Sequence, residues 1–587
     1  MIAERPEAVA SVKPGGTFML EAATAQDVRT PEDFTPDMRE MFAAVEEFVK
    51  ARVVANQERL EHHDNELLKK ILHECGEQGF FLLEVPEEFG GLDMSKTMAC
   101  YVGEALSRGG GFAVSFGAHA SIGMLPLVYF GSQATKEKYL PDMANGKLIG
   151  AYCLSEPGSG SDAQAAKARA VLSEDGRHYI LNGTKMWISN GGIADIFTVF
   201  AHVPTPEGNK FSAFLVERKW DGVSTGKEEE KLGIRLSSTT QLILEDVKVP
   251  AENLLGEVGW GAKIAFNILN IGRYKLGSGG AGGGKVILEH SAKYAKERHS
   301  FGKPIASYGA ILEKLGAMAT SIYGAESITY RVTGAIDAAV EKGMDKLKAI
   351  ETHRVEASIV KVYGTEVLSQ CADEGVQVFG GFGYSEEYPM ARAYRDARIN
   401  RIFEGTNEIN RMLIPGELLK MAMKGELGLL KAAQKLQAEL LEPQFDFEEP
   451  EGLLAAETKV VANLKKAALA VAGSAAMRLG TKMSEEQEVM MRVADMIIQA
   501  YVAETATVRA QKSGNALHAK MAQILVAQAA DKTMSAGREA ISSFLTGDEF
   551  RMTMAALKRF TKTEVVNLIA LRREVAQAVL EKDGYPA

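Results

Sequence analysis

Leu276–Lys285, "LGSGGAGGGK", is the stretch on which the architecture turns. It contains Gly277-x-Gly279-x-x-Gly282, a match to the dinucleotide-binding fingerprint, and Gly279-x-x-x-x-Gly284-Lys285, most of a P-loop. Either reading demands an alternating α/β fold, because both loops work only where a strand runs into a helix and bare backbone meets a phosphate. The flanks do not supply that context. Upstream, Ile264, Ile268 and Ile271 recur at helical spacing with no apolar strand run, and downstream Val286 stands where a P-loop needs Ser or Thr for magnesium. The stretch therefore reads as helix. Six glycines in eight residues then cost about 1 kcal/mol each relative to alanine. Close approach of a neighbouring helix, or of a bound ligand, at Gly277, Gly280 and Gly284 would offset that cost.

Working outward, Met41, Val45, Phe48 and Val49 open a helical region over 36–150 after an extended arm, 1–35. "HYILNGTKMWISN", "IFTVFAHV", "FSAFLVE" and "QLILEDVKV" are short β-branched and aromatic runs broken by Gly, Asn, Asp and Pro, which predicts an antiparallel sheet or barrel over 151–260. Helical periodicity returns over 261–440. "LEPQFDFEEPEG", 441–452, reads as a linker, and 453–587 as a further helical domain for packing and assembly. Within it Ser484-Glu-Glu-Gln487 reads as a capping box, followed by Met490, Val493, Ile497 and Tyr501 on one face. Helices, then strands, then helices exclude a βαβ chain.

Of 587 residues 46% are apolar and 25% charged, and the net charge is −10. That balance argues against a nucleic-acid partner, which needs a basic face. Cys75, Cys100, Cys153 and Cys371 show neither disulfide nor zinc spacing, and read as reduced core residues. The N-terminus lacks the apolar run of a signal peptide, so a cytoplasmic, bacterial-type chain is expected. Gly109–Thr135 carries no Asp, Glu, Lys or Arg, but its six glycines, His and Pro predict a buried helix pair with a tight turn rather than a membrane span.

Two longer segments carry the chemistry. They are "AYCLSEPGSGSDAQAAKA" (151–168) with "GTKMWISNGG" (183–192), and "QVFGGFGYSEEYPMARAYRDARINRIFEGTNEINRMLI" (377–414). Both closely resemble the signature regions of the acyl-CoA dehydrogenase family, and "ERHSFGKPI" resembles its flavin-contact segment. The resemblance runs from about residue 36 to 425, and the arm and C-terminal block make the chain most like the long forms, such as very-long-chain acyl-CoA dehydrogenases. It implies a mainly α fold, with a helical N-terminal domain, a central β-domain and a C-terminal four-helix bundle, here followed by the extra helical domain. FAD would lie between domains and across a subunit interface of a homodimer or dimer of dimers. The implied reaction is α,β-dehydrogenation of an acyl-CoA to the trans-2-enoyl product in fatty-acid β-oxidation. Electrons would pass to an electron-transfer flavoprotein.

Removing an α-proton from a thioester requires a base at the α-carbon and a hydride acceptor at the β-carbon. Glu404 in "IFEGTNE" is the candidate base. It follows Ile402 and Phe403, which would desolvate it, and Gly405 and Thr406 then turn the chain into a helix with Thr406 as N-cap. That helix start, with Glu408, suits the flavin pyrophosphate. Some family members carry the base just before the arginine matching Arg273; here that residue is Gly272.

By resemblance, Tyr152, Leu154 and Ser155 contact the flavin ring, Trp187 packs near it on the side facing the electron acceptor, and Ser189 bonds near N5. Arg298, Phe301, Gln377 and Gly381 resemble residues that reach the partner subunit's FAD, Arg298 being suited to a phosphate. Family glutamines after "FGK" are replaced here by Tyr308 and Gly309. Ser161 and Arg273 match positions along the CoA thioester, and Asn270 is assigned to the same substrate set. Val114 and Ala118, beside Gly117, stand where medium-chain members close the acyl cavity with larger side chains, which implies a deeper tunnel and longer substrates. Competing readings are an acyl-CoA oxidase that uses oxygen, and a non-dehydrogenase, DNA-associated relative. A peripheral membrane contact through the C-terminal block is possible in the long forms, although no strongly basic amphipathic face requires it.

Overall fold

The computed structural model describes residues 13–441 and 451–587. The start of the arm and most of the 441–452 linker lie outside the described residues. The chain divides into two compact units: Thr35–Lys275 with Arg395–Asn400, and Leu276–Tyr394 with Arg401–Ala587 and the N-terminal residues up to Phe34.

In the first unit four helices start where a side chain satisfies a free backbone donor. The Thr35 hydroxyl accepts from Met38 N–H at the head of α1 (Pro36–Phe48), with Pro36 in the first position, where a missing N–H costs nothing. Asp64, Ser95 and Ser132 cap α2 (Asn65–Glu77), α3 (Lys96–Leu106) and α4 (Gln133–Ala144) in the same way. The uncharged stretch forms one helical run, Phe112–Phe130, rather than a helix pair with a tight turn. A π-helical segment, Ala118–Gly123, joins α-helical Phe112–Gly117 to Leu125–Phe130. This run and Ala455–Ser484 are, among the described residues, long and apolar enough to cross a membrane. The apolar window of the first is 67% buried inside the fold, and the second packs Val461, Leu464, Ala468 and Val471 inward.

The sheet comprises β1 (Gly150–Cys153), β2 (Arg169–Leu172), β3 (His178–Ser189), β4 (Ile196–Thr205), β5 (Gly208–Glu217), β6 (Val223–Thr225), β7 (Thr239–Pro250) and β8 (Leu254–Leu255). The order is β6-β7-β3-β2-β4-β5-β8, with β1 also paired to β4. It is mixed rather than antiparallel throughout, because β1 and β2 both run parallel to β4. Leu181, Phe197, Val199, Phe214, Val216, Leu242 and Val249 form its core.

One buried charge cluster lies in this unit. Lys96 donates to Glu84 at 2.6 Å and to the Tyr129 hydroxyl at 2.7 Å, and Lys275 pairs with the other Glu84 oxygen. Burial would raise the Glu84 pKa, but Lys275 and Lys96 outweigh it and hold the carboxyl at about 2. A depressed carboxylate stabilises the fold above its unfolded pKa and loses that effect as pH falls through the folded value. Glu84→Gln should therefore lower stability near pH 7 by about 3–5 kcal/mol. The deficit should narrow below about pH 4, as read from urea midpoints across that range.

In the second unit the long helices are α5 (Gly261–Glu297, which begins in the first unit), α6 (Gly309–Glu341), α7 (Arg354–Phe379), α8 (Asn407–Met423), α9 (Ala455–Leu479), α10 (Gln487–Ser513), α11 (Ala516–Phe544) and α12 (Leu568–Lys582). The glycine-rich stretch is helical inside α5, and its neighbours are helices. A Cβ on Gly277 would strike Val360 of α7, and one on Gly280 would strike the Gly364 carbonyl. A Cβ on Gly364 would in turn lie 2.8 Å from Gly277 Cα, so α5 and α7 cross glycine on glycine. Gly284 faces Ile322 of α6 and Cys371 of α7. Helix contact, not an acyl chain, occupies these positions.

The described part of the arm is not extended. It forms 3₁₀ turns at Thr17–Met19 and Pro31–Asp33 and packs on the second unit. There Gly16 N–H donates to Glu356 at 2.6 Å, and fully buried Arg509 bridges Glu32 and Glu326. The capping box does not form. Ser484 ends a 3₁₀ turn, Gly480–Ser484, that continues the preceding helix, and Glu486 becomes the N-cap without a side-chain bond. The face bearing Met490, Val493, Ile497 and Tyr501 is buried as read. All four cysteines are buried and none forms a disulfide.

Candidate active site

Glu404 sits in the second unit on a turn built to hold it. Its φ is +57°, a left-handed conformation that a side chain adopts at a cost of about 1–2 kcal/mol, and Gly405 follows at +81°. Tertiary contacts must maintain such a turn. The Thr406 hydroxyl accepts from Ile409 N–H at 3.2 Å and is the N-cap of α8, as its sequence position suggests. Asn410, fully buried on the first turn, donates to the carbonyls of Gly405 (2.8 Å) and Thr406 (3.1 Å). From α7, fully buried Lys361 donates to the Gly405 carbonyl at 2.8 Å and to Asn407 Oδ1 at 2.7 Å. Glu404 is half-buried with Oε2 shielded from solvent, while Ile402 is exposed. Glu408 is exposed on the same first turn, its carboxyl held below the usual range chiefly by a backbone hydrogen bond.

A second cluster lies in the first unit where β1 and β3 end. Met186 N–H donates to the Ser155 carbonyl at 2.9 Å, which ties Tyr152, Leu154 and Ser155 to the segment carrying Trp187 and Ser189. The β3–β7 register slips between Lys185 and Ile188, and at that bulge Trp187 takes φ +61°. The residue is 57% exposed, so Trp187 is not a sheet-core residue. Lys185, fully buried, donates to Glu156 at 2.7 Å and to the Leu154 carbonyl at 3.3 Å, and Glu156 accepts the N–H groups of Lys167 and Ala168. That network fixes the Leu154–Ser155 backbone.

The remaining residues fall into two groups. In the second unit Arg298, Phe301 and Gly381 line one cavity of about 830 Å³. Phe301 is almost wholly exposed at φ +51°, and the Arg298 guanidinium lies 5.5 Å from the Phe382 ring centre. Tyr308, where the resemblance departs, also lines this cavity and donates to the Ser300 carbonyl at 2.8 Å. Gln377 stands exposed on the last turn of α7, next to the cavity but not lining it. In the first unit Arg273 is buried and donates to Asn270 Oδ1 at 2.8 Å, while Ser161 is exposed in a turn. Val114 and Ala118 occupy successive turns at the α-to-π junction, with a Cβ on the intervening Gly117 meeting nothing within 4 Å. Phe116 is engaged with Phe81, ring centres 5.0 Å apart.

Reading the sequence missed Lys361, Asn407, Asn410, Lys185 and Glu156. The available signal was a lone lysine in an apolar run, "EASIVKVYG" in α7 and "NGTKMWIS" in β3. A buried lysine requires a partner.

A "Probable acyl-CoA dehydrogenase" of Bacillus subtilis is 44% identical over 592 residues, covering 98% of this chain and 99% of that protein. The chain belongs to the acyl-CoA dehydrogenase family. Its activity class is oxidoreductase. Family models described as the acyl-CoA dehydrogenase N-terminal, middle and C-terminal domains match residues 35–147, 151–247 and 259–419. A further model, also described as an acyl-CoA dehydrogenase C-terminal domain, matches 463–559. The fold expected from the sequence is the one observed in solved acyl-CoA dehydrogenases. The crystal structure of an acyl-CoA dehydrogenase complexed with FAD from Bacillus anthracis has a TM-score of 0.94 at 43% identity, covering 98% of this chain and all of that one. The very long-chain specific mitochondrial enzyme of Rattus norvegicus is 42% identical over 361 residues, about 60% of this chain and 54% of its own length.

Proposed function

We propose that this acyl-CoA dehydrogenase family member holds FAD and oxidises a long-chain acyl-CoA to the trans-2-enoyl thioester, with Glu404 taking the α-proton. The observation that carries the reading is the strained Glu404 turn, whose Gly405 carbonyl is held by Lys361 and Asn410. The residues at hand suit the cofactor. An 830 Å³ cavity has aromatic walls and Arg298, and Cβ atoms on Gly380 or Gly381 would meet nothing within 4 Å, so backbone lies open to a ligand. FAD, when bound, supplies the acceptor for the β-hydride.

The protein's part is orientation and proton removal. Tyr152, Leu154 and Ser155 would hold the flavin ring, and Ser189 would bond it near N5. Exposed Trp187 covers the side from which an electron-transfer flavoprotein draws electrons. Arg298, Phe301, Gln377 and Gly381 reach the cofactor of a partner subunit, in a homodimer or dimer of dimers, with Arg298 meeting a phosphate. Thr406 and Glu408 mark the helix start at the pyrophosphate, and Ser161, Asn270 and Arg273 meet the CoA portion. Anaerobic bleaching of the yellow flavin against a ladder of acyl-CoAs tests the reading. Long chains should bleach it fastest, and no bleaching by any of them would refute it. In air, flavin reduced by substrate should stay reduced far longer than seconds; rapid peroxide release would make oxygen the acceptor.

The open space at Gly117 gives a sharper expectation. Gly117→Leu should keep stability near wild type while shifting preference to chains shorter by roughly four carbons, each lost methylene contact being worth about 0.8 kcal/mol. Unchanged kcat/KM across the ladder would show that the acyl tail does not pass Gly117.

A further inference from the structure

In the second unit a run of charged contacts connects the C-terminal helices to the Glu404 turn. Asp495, on α10, accepts Arg411 Nε at 2.7 Å. Arg411 Nη1 and Nη2 donate to the two oxygens of Glu366 on α7, at 2.6 and 2.9 Å. Glu366 Oε1 also accepts Asn407 Nδ2 at 3.1 Å. Asn407 Oδ1 in turn accepts from Lys361, which holds the Gly405 carbonyl next to Glu404. Every link is a direct hydrogen bond, and the first member lies within the region matched by the second C-terminal domain model.

We infer that Asp495 is a positioning residue, through which the C-terminal helical domain sets the placement of Glu404. A guanidinium is planar and offers donors in a fixed fork. One N–H of each Nη goes to Glu366, and the Nε–H goes to Asp495. Arg411 is therefore held from two sides, and it fixes Glu366 as the acceptor for Asn407. Without Asp495 the fork can rotate, and Asn407 and Lys361 lose the rigid backing that keeps Gly405 in place. Proton transfer depends steeply on placement, a shift of about 1 Å costing up to about 10²-fold. The inference rests on Glu404 being the base. It gives the C-terminal domain a role in the reaction as well as in packing.

Asp495 has a second contact that supplies a control. Its Oδ2 lies 3.6 Å from Arg492 Nη1, and Arg492 itself is bonded to Glu539 at 2.6 Å. Asp495→Asn, Asp495→Glu, Arg492→Gln and Glu404→Gln, all as FAD-loaded full-length protein, should be mixed anaerobically with palmitoyl-CoA. The saturating rate of flavin reduction and the half-saturating concentration are then read together. Asp495→Asn should reduce flavin about ten-fold more slowly, with half-saturation moved less than about two-fold and flavin content intact. Asp495→Glu should recover most of the rate, and Arg492→Gln should match wild type. A wild-type rate in Asp495→Asn, with Glu404→Gln inactive, overturns the inference alone. So does an equal loss in Arg492→Gln, which would reduce the effect to general stability. If Glu404→Gln bleaches as fast as wild type, the reading of Glu404 falls and this inference with it.

Discussion

Exchanging Glu404 for glutamine should leave the flavin yellow when palmitoyl-CoA is added without oxygen. The substitution is nearly isosteric and removes only the proton acceptor. The turn should survive it, because Lys361 and Asn410 grip the carbonyls of Gly405 and Thr406. A positioned general base contributes about 10²–10⁴-fold, so flavin reduction should slow by that factor while acyl-CoA still binds. The loss should fall on the saturating rate rather than on half-saturation, the mark of an interaction used in the transition state. Gly272, at the alternative base position, cannot compensate. Bleaching at the wild-type rate would remove the chemical core of the proposed function.

Gly280→Leu should damage the fold itself rather than long-chain activity in particular. A side chain there meets the Gly364 carbonyl on α7, and backbone cannot move aside as the tip of a flexible side chain can. Overpacking of this kind costs about 1–3 kcal/mol or more, and prising α5 from α7 would also open the Gly277–Gly364 crossing. Gly280→Ala separates the two contributions. Alanine gains about 1 kcal/mol of helix propensity over glycine, so a net loss of stability would report the clash directly. Gly103→Ala, where an added Cβ meets nothing within 4 Å, should gain or stay level. Urea midpoints for the three variants decide the matter. Wild-type stability in Gly280→Leu would mean that the helices do not meet here.

The amino-acid order by itself determined the fold class and the family. Periodicity separated helices from strands, and the flanks of Leu276–Lys285 ruled out a phosphate loop. Those features were legible because they are local: an isoleucine every third or fourth residue, or a missing Ser after Gly284-Lys285, needs no partner to be read. Thr406 was legible for the same reason, since Gly-Thr-Asn-Glu is itself a helix start, whereas the role given to Glu404 came from the resemblance and from no local pattern. What lay beyond reach depended on residues far apart in sequence. That Gly277 and Gly280 meet Val360 and Gly364, that Trp187 stands exposed on a bulge, and that Ser484 is taken up by a 3₁₀ turn were decided by packing. So was the path from Asp495 to Gly405, which joins positions as far apart as Lys361 and Asp495 into one set of hydrogen bonds. Local pattern fixes which elements form. Only the folded chain brings a buried lysine's charge to the carbonyl it must hold, because desolvation makes that pairing necessary and leaves its partner unspecified.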